Sequence, residues 1–308
     1  MAAEARPDVG VLFMAYGTPA SADDVERYYT HIRRGRPPAA EQLADLQRRY
    51  DAIGGVSPLL ARTRAQVAGT AAALGEGFVC ELGQKHAAPF IEDAVSALLT
   101  RGVTSIVGIV LAPHFSALSV GEYHARASEA VSGRAVYTGV DSWHVEPALI
   151  DLLAGRVRRG LDRFPADARV RTLVTAHSLP SRVLDMGDPY PTQLQETAEA
   201  VMTAAGVDAS DWQLAWQSAG RTPEPWLGPD ILDVIRSFAD ERSERLDGVL
   251  VCPAGFTSDH LEVLYDVDVE ARRVADEVGL RLERTESLND DPALCELLAH
   301  VIKGAVIS

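Results

Sequence analysis

Cysteine is scarce in this chain and shows no pattern. Cys80, Cys252 and Cys295 are scattered, odd in number and without a Cys-x-x-Cys spacing. That excludes a disulfide framework, argues against a structural zinc site and fits a reducing compartment. Long apolar runs are also missing. No stretch approaches the roughly 20 residues needed to cross a bilayer. The first eight residues form only a short segment, and the run Val11 to Ala15 that follows lacks the length and basic flank of a signal peptide. Positive charge is the third shortage: 29 Lys and Arg stand against 44 Asp and Glu, a net charge of −15. Such a field repels nucleic acid and anionic lipid, so neither is expected as a partner, and no integral membrane contact is expected. Disorder is excluded as well, because 47% hydrophobic residues in a 308-residue chain can bury the cores of two ordinary domains. The expectation is a soluble, cytoplasmic protein.

What is present is an alternation of short β-branched runs with longer helix-like stretches. Strands are predicted at 11–15, 79–82, 106–112 and 135–140, and again at 173–176, 213–216, 248–252 and 280–284. Strands separated by helices imply βαβ units and a mostly parallel sheet. The two sets also match each other in order. Phe13 to Pro19 resembles Val174 to Pro180, and Gly108 to Pro113 resembles Gly248 to Pro253. Glu146 to Ala154 recurs as Asp291 to Ala299 with six identities in nine positions. The fold expected is therefore α/β, two Rossmann-like domains with four-stranded parallel sheets related by internal duplication. Ligands of such sheets bind beyond the carboxyl ends of the strands, so Tyr16 and His177, each at the end of a first strand, are expected to look into a shared cleft.

Three groups of residues can carry chemistry. His177 follows directly from a buried strand and suits a neutral imidazole used as metal ligand or proton acceptor, although a histidine there can also simply cap the next turn. Glu262, Asp266 and Glu270 are successive i, i+4 neighbours, which on a helix makes one acidic stripe. The stripe fits a solvated helix face, and it equally fits a path of readily exchanging carboxylate ligands for a divalent cation. The stretch Glu26 to Pro38, with Arg49, Tyr50 and Gly54 to Pro58 beyond it, gathers arginine and aromatic side chains in an otherwise acidic protein. It reads either as a surface helix or as a patch for a flat ring bearing carboxylates.

Nine segments, in order along nearly the whole chain, resemble the ferrochelatase family, and in particular its soluble Gram-positive branch. They are MAYGTP (14–19), YYTHIRRGRPP (28–38), RYDAIGGVSPL (49–59), PFIEDAV (89–95), LAPHFSALSV (111–120), TAHSLP (175–180), GDPYPTQL (187–194), WQSAGRTPEPWLGPD (216–230) and DHLEVLYDVDVE (259–270). The resemblance implies an enzyme that inserts Fe2+ into a porphyrin, coproporphyrin III in that branch, to give coprohaem. It implies an N-terminal half at 1–143 with a last helix at 290–308 packing back on it, and a C-terminal half at 144–289.

By the same resemblance His177 and Glu262 act on the metal, and Tyr16 is the axial ligand of the inserted iron. Arg33, Arg49, Tyr50, Ser57 and Tyr123 fall on positions that contact the porphyrin, and Asp266 and Glu270 on a metal route. Fe2+ is then a substrate and no cofactor is permanently bound. Three cysteines cannot supply the four ligands of an iron–sulfur cluster, so none is expected. The hydrophobic lip of membrane-associated relatives is not evident, which favours a monomer. Two other readings stay open at this point: a protoporphyrin IX ferrochelatase, and a non-catalytic porphyrin or haem carrier on the same fold.

Overall fold

A computed structural model describes residues 9–220, 222–239 and 246–307. The first eight residues and Arg221, the latter inside the segment 216–230, lie outside the described residues. Eight strands form: β1 (Val9–Ala15), β2 (Phe78–Gln84), β3 (Ser105–Val110), β4 (Val136–Val140), β5 (Val170–His177), β6 (Trp212–Gln217), β7 (Gly248–Cys252) and β8 (Arg281–Arg284). They pair in parallel as two four-stranded sheets, ordered β2-β1-β3-β4 and β6-β5-β7-β8. The two orders are the same if each number is advanced by four, which is the duplication seen in the sequence. The α/β class and the two parallel sheets are as the alternation predicts.

The strands form where they do because they are covered on both faces. Val11, Leu12, Phe13 and Met14 are fully buried, as are Val249 to Cys252. A run that alternated in polarity could not sit there, so continuous apolar runs mark the central strands. The chain divides into two units, one of residues up to Trp143 together with the segment from Asn289 on, the other His144–Leu288. In the first, the helix Pro292–Ile307 packs against the helix Leu59–Leu74 and against β3 and β4. In the second, the helix Pro147–Leu161 packs against the helix Tyr190–Ala205 and β7. These two packed helices are the nine-residue repeat. Each opens with proline at its first position, where a missing N–H costs nothing.

The segment after β7 departs from expectation. It is not one regular α-helix. A single turn, Leu261–Leu264, passes into a π-helix at Asp266–Ala271 and only then into the α-helix Arg272–Glu277. The N–H groups of Val269 and Glu270 both donate to the carbonyl of Tyr265, at 3.1 and 2.9 Å. In an α-helix, residues four apart drift round the axis by about 40° per step. The wider π turn slows that winding, so Val263, Val267 and Ala271 all stay fully buried while Glu262, Asp266 and Glu270 precede them one by one.

Candidate active site

In the second unit the chemistry gathers where β5 ends. His177 pairs in register with Gln217 on β6. Its Nδ1 donates to the carbonyl of Ser178, which turns Nε2 toward Glu262, 3.5 Å from Oε1. The other carboxylate oxygen, Oε2, lies 3.4 Å from Nε2 of His260. Glu262 is thus held by two imidazoles, while both its side chain and that of His177 keep about a third of their surface exposed, at 35% and 33%. The backbone is fixed as firmly. Gln217 donates from Nε2 to the carbonyl of Glu262 at 2.9 Å and accepts from the hydroxyl of Thr175 at 2.8 Å. The hydroxyl of Tyr190 donates to the carbonyl of His177 at 3.0 Å. Gly255 is needed here, because a Cβ on it would come within 2.4 Å of the Cβ of Ala176.

With only its protein neighbours about it, His177 favours the charged form. Burial opposes its charge, but the Glu262 carboxylate, the hydrogen bonds to Glu262 and Ser178 and the nearby Asp266 outweigh that and raise its pKa to about 9. Burial likewise raises Glu262, and His177 and His260 overcome it, holding the carboxyl well below the usual range. At neutral pH the pair is an ion pair. Asp266 is buried and accepts a hydrogen bond from Ser218; Glu270 is half-exposed. Asp268, on the same π-helix, is drawn off by Arg284 through contacts of 2.8 and 3.0 Å, and Arg284 also lies 3.2 Å from Asp259. Among the described residues, no three or more His, Cys, Asp or Glu side chains are grouped to hold a metal ion.

In the first unit the end of β1 carries Tyr16, which is 43% exposed. Its carbonyl accepts from the N–H of His86 at 2.9 Å, and the two rings lie 4.6 Å apart. Nδ1 of His86 meets Nδ1 of His31 at 3.0 Å, and His31 stacks on Phe90. Gly17, at φ +94°, allows the loop to close in, since a Cβ there would stand 3.0 Å from the Ala87 nitrogen. Burial, then Lys85, His31 and Arg126, lower the pKa of His86 to about 3.

The remaining expected residues are less concentrated. Tyr50 is nearly buried, with its hydroxyl 3.5 Å from that of Thr18. Tyr123 is also buried, and the Lys85 ammonium sits 5.1 Å from its ring centre and 2.5 Å from Glu122. Ser57 is buried, its hydroxyl accepting from the N–H of Leu59 at 3.2 Å. Arg49 is half-exposed and 3.4 Å from Asp45, while Arg33 bonds the carbonyl of Arg36 at 3.3 Å and lies over Tyr29. Four residues at these two strand ends are not among those the sequence points to: His260, Gln217, Lys85 and His86. The first two stand inside the segments that carry the resemblance, and the last two do not.

A family model described as ferrochelatase matches residues 8–306. The chain belongs to the ferrochelatase family. It is 47% identical to a coproporphyrin III ferrochelatase of Anoxybacillus flavithermus, with 96% of this chain and 95% of that one aligned. It is 44% identical to a coproporphyrin III ferrochelatase of Bacillus subtilis over 96% of this chain and 97% of the relative. A protein of Herpetosiphon aurantiacus named simply ferrochelatase is 43% identical, covering 96% and 98%. Among solved structures, "SirB from Bacillus subtilis with Fe3+" aligns with a TM-score of 0.62 at 11% identity, covering 97% of this chain and 95% of that one. CbiX, described as the terminal enzyme of sirohaem biosynthesis in denitrifying bacteria, aligns at 0.55 and 14%, covering 97% and 99%. At such identities these two support the duplicated fold alone. No helix among the described residues is long and apolar enough to cross a membrane.

Proposed function

We propose that this ferrochelatase-family enzyme inserts Fe2+ into coproporphyrin III and releases coprohaem and two protons. The observation that carries the reading is the His177–Glu262 pair at the end of β5, a proton-accepting group beside a carboxylate ligand, in a chain whose relatives at 44–47% identity are coproporphyrin III ferrochelatases. Fe2+ is a substrate, with Glu262 and His177 its ligands on the way to the ring and Tyr16 the axial ligand of the inserted iron. Asp266 and Glu270 form the route of approach, and Arg33, Arg49, Tyr50, Ser57 and Tyr123 hold the porphyrin and its carboxylates.

The raised pKa of His177 gives the sequence of events a physical logic. In the metal-free protein its proton is kept by Glu262. A dication arriving at Glu262 competes with that proton, because it makes the imidazolium costly and takes over the carboxylate. His177 gives its proton to solvent, and once the ion has moved on to the ring its Nε2 is free to accept the pyrrole N–H protons one after the other and pass each to solvent. A haem carrier needs one axial ligand and has no use for this pair or for carboxylates lined up behind it.

The enzyme acts as a cytoplasmic monomer without an iron–sulfur cluster. Supporting the last point, three cysteines fall short of the four thiolates that such a cluster takes. Stoichiometric acid-labile sulfide in the purified monomer would overturn that part.

The deciding experiment compares kcat/KM for coproporphyrin III and protoporphyrin IX with Fe2+ under anaerobic conditions and identical detergent. Each charge-assisted bond is worth about 1.5–3 kcal/mol, so two further propionates, if both are satisfied, favour coproporphyrin by a factor of roughly hundreds. A clear preference for protoporphyrin IX would replace the substrate assignment, and persistence of the free-base spectrum with both would remove the chelatase reading.

A further inference from the structure

Ser218 occupies a conformation that its side chain does not favour. It follows β6 directly and has φ +62°, in the left-handed region that glycine adopts at no steric cost. Glycine would serve the turn better, yet the chain places a serine there, two residues before Gly220. The hydroxyl shows what the serine does. It donates to Oδ2 of Asp266, the buried carboxylate of the π-helix. The neighbouring Gln217 holds the carbonyl of Glu262 at 2.9 Å. Two consecutive residues at the end of β6 therefore fix both members of the carboxylate line nearest to His177, one through its backbone and one through its carboxylate. Backbone strain of this kind persists only where surrounding contacts over-determine it, and it concentrates at functional sites.

We infer that Ser218 is a positioning residue for the incoming metal ion: its hydroxyl fixes the rotamer of Asp266 so that this carboxylate is presented beside the His177–Glu262 pair. The inference rests on the proposed chelatase function and deepens it. Asp259 and Asp268, by contrast, are tied up by Arg284 and take no part in the line. An ordered carboxylate binds a passing cation without first losing side-chain freedom, so Ser218 acts on capture of the ion and leaves the chemical step alone.

Two variants separate this from a structural role, because both remove the hydroxyl while only one keeps the strain. Ser218→Gly relieves the left-handed backbone and should be at least as thermally stable as the parent, whereas Ser218→Ala keeps the strain. Steady-state insertion is measured at saturating coproporphyrin with varied Fe2+, and binding of Co2+ to the porphyrin-free protein by calorimetry. In both variants KM for Fe2+ should rise roughly five- to tenfold and Co2+ affinity fall in parallel, with kcat and the porphyrin KM changed less than about twofold. An unchanged KM for Fe2+ and unchanged Co2+ affinity in Ser218→Gly would overturn the inference. So would an effect confined to Ser218→Ala that follows its loss of stability. If the parent inserts no metal at all, the chelatase reading is what fails, and the Co2+ titrations still decide for or against Ser218.

Discussion

The two units share one strand order and each sets a histidine near a strand end, His177 at the end of β5 and His86 just beyond β2, yet they treat those histidines in opposite ways. In the second unit, carboxylates surround His177 and raise its pKa to about 9. In the first, burial above all, with Lys85, His31 and Arg126 adding to it, lowers the pKa of His86 to about 3. One duplicated frame thus presents a cationic imidazole next to carboxylates at one strand end and a neutral imidazole next to cations at the other. The fold sets where the groups stand, and burial together with the charges around them sets what they can do. The acidic end suits a divalent cation and a proton. At the other end the cations are already matched, Lys85 by Glu122 and Arg126 by both carboxylate oxygens of Glu92.

The largest effect expected on breaking this contrast comes from the acidic side. His177→Ala should lower insertion by roughly 10²–10⁴-fold while folding and porphyrin binding persist, as for the loss of a general base. Its own turnover, measured alongside a porphyrin fluorescence titration, checks both halves of that statement. Near-normal turnover would remove His177 from the mechanism.

Glu262→Gln should also cripple insertion, and it sharpens the comparison because it removes the cause of the shift at His177. The imidazole resonances of His177 should then titrate well below about 9, nearer to or under the ordinary 6.5, since burial alone lowers the pKa. Stability follows with opposite signs for the two partners. The part due to His177 is full below pH 6.5 and fades as the pH rises through about 9. The part due to Glu262 is present above its ordinary 4.5 and fades as acid protonates it. The parent should therefore lose stability at both ends of that window relative to Glu262→Gln. Because both side chains are a third exposed, the effect on melting is small, and the NMR titration is the stricter check. Glu270→Gln, half-exposed and farther along the π-helix, should raise the apparent KM for Fe2+ a few-fold and leave kcat nearly unchanged. Equal losses of turnover in the Glu262 and Glu270 variants would refute that division.

Much of this architecture is legible in the amino-acid sequence. The eight predicted runs fall on the eight strands; the central ones, such as β1 and β7, are legible because a doubly covered parallel strand needs an unbroken apolar sequence, and the repeat around Pro147 and Pro292 reports two equivalent helices. The motifs also point to His177 and Glu262. The charge state of His177 is not legible, because it depends on Nδ1 being committed to Ser178 and on Asp266 and Glu262 converging from elsewhere in the chain. Nor is the π-helix, since an i, i+4 row of acids has the same spacing on either helix. His260 carries no mark in the sequence although it stands two residues before Glu262, because a neighbour at that spacing meets it only where the chain is extended. His260 has φ −157° and does so. Lys85 and His86 lie in a loop whose meaning comes from Tyr16, remote in the chain, and no local pattern marks such a contact.

The smallest expected effect tests the basic side. In Lys85→Met the ammonium that lowers His86 is removed, but burial, the largest cause, remains. The His86 pKa should therefore rise from about 3 and still stay below 6.5. The sign for stability is the reverse of that for His177. A histidine kept neutral by the fold costs stability as the pH falls from 6.5 toward its folded value, because the unfolded chain takes up the proton first. Raising the folded value narrows that window, so the variant should lose stability less steeply than the parent between pH 6.5 and about 4. The 2.5 Å contact between Lys85 and Glu122 is lost as well. A surface pair of this kind contributes about 0–1 kcal/mol, and above the carboxylate range its loss shifts the whole curve without changing its slope. The slope of denaturant midpoint against pH is thus the quantity to compare, with the His86 resonances as the direct readout. An unchanged His86 titration in the variant would mean that Lys85 has no part in this end of the contrast, which burial with His31 and Arg126 then sets.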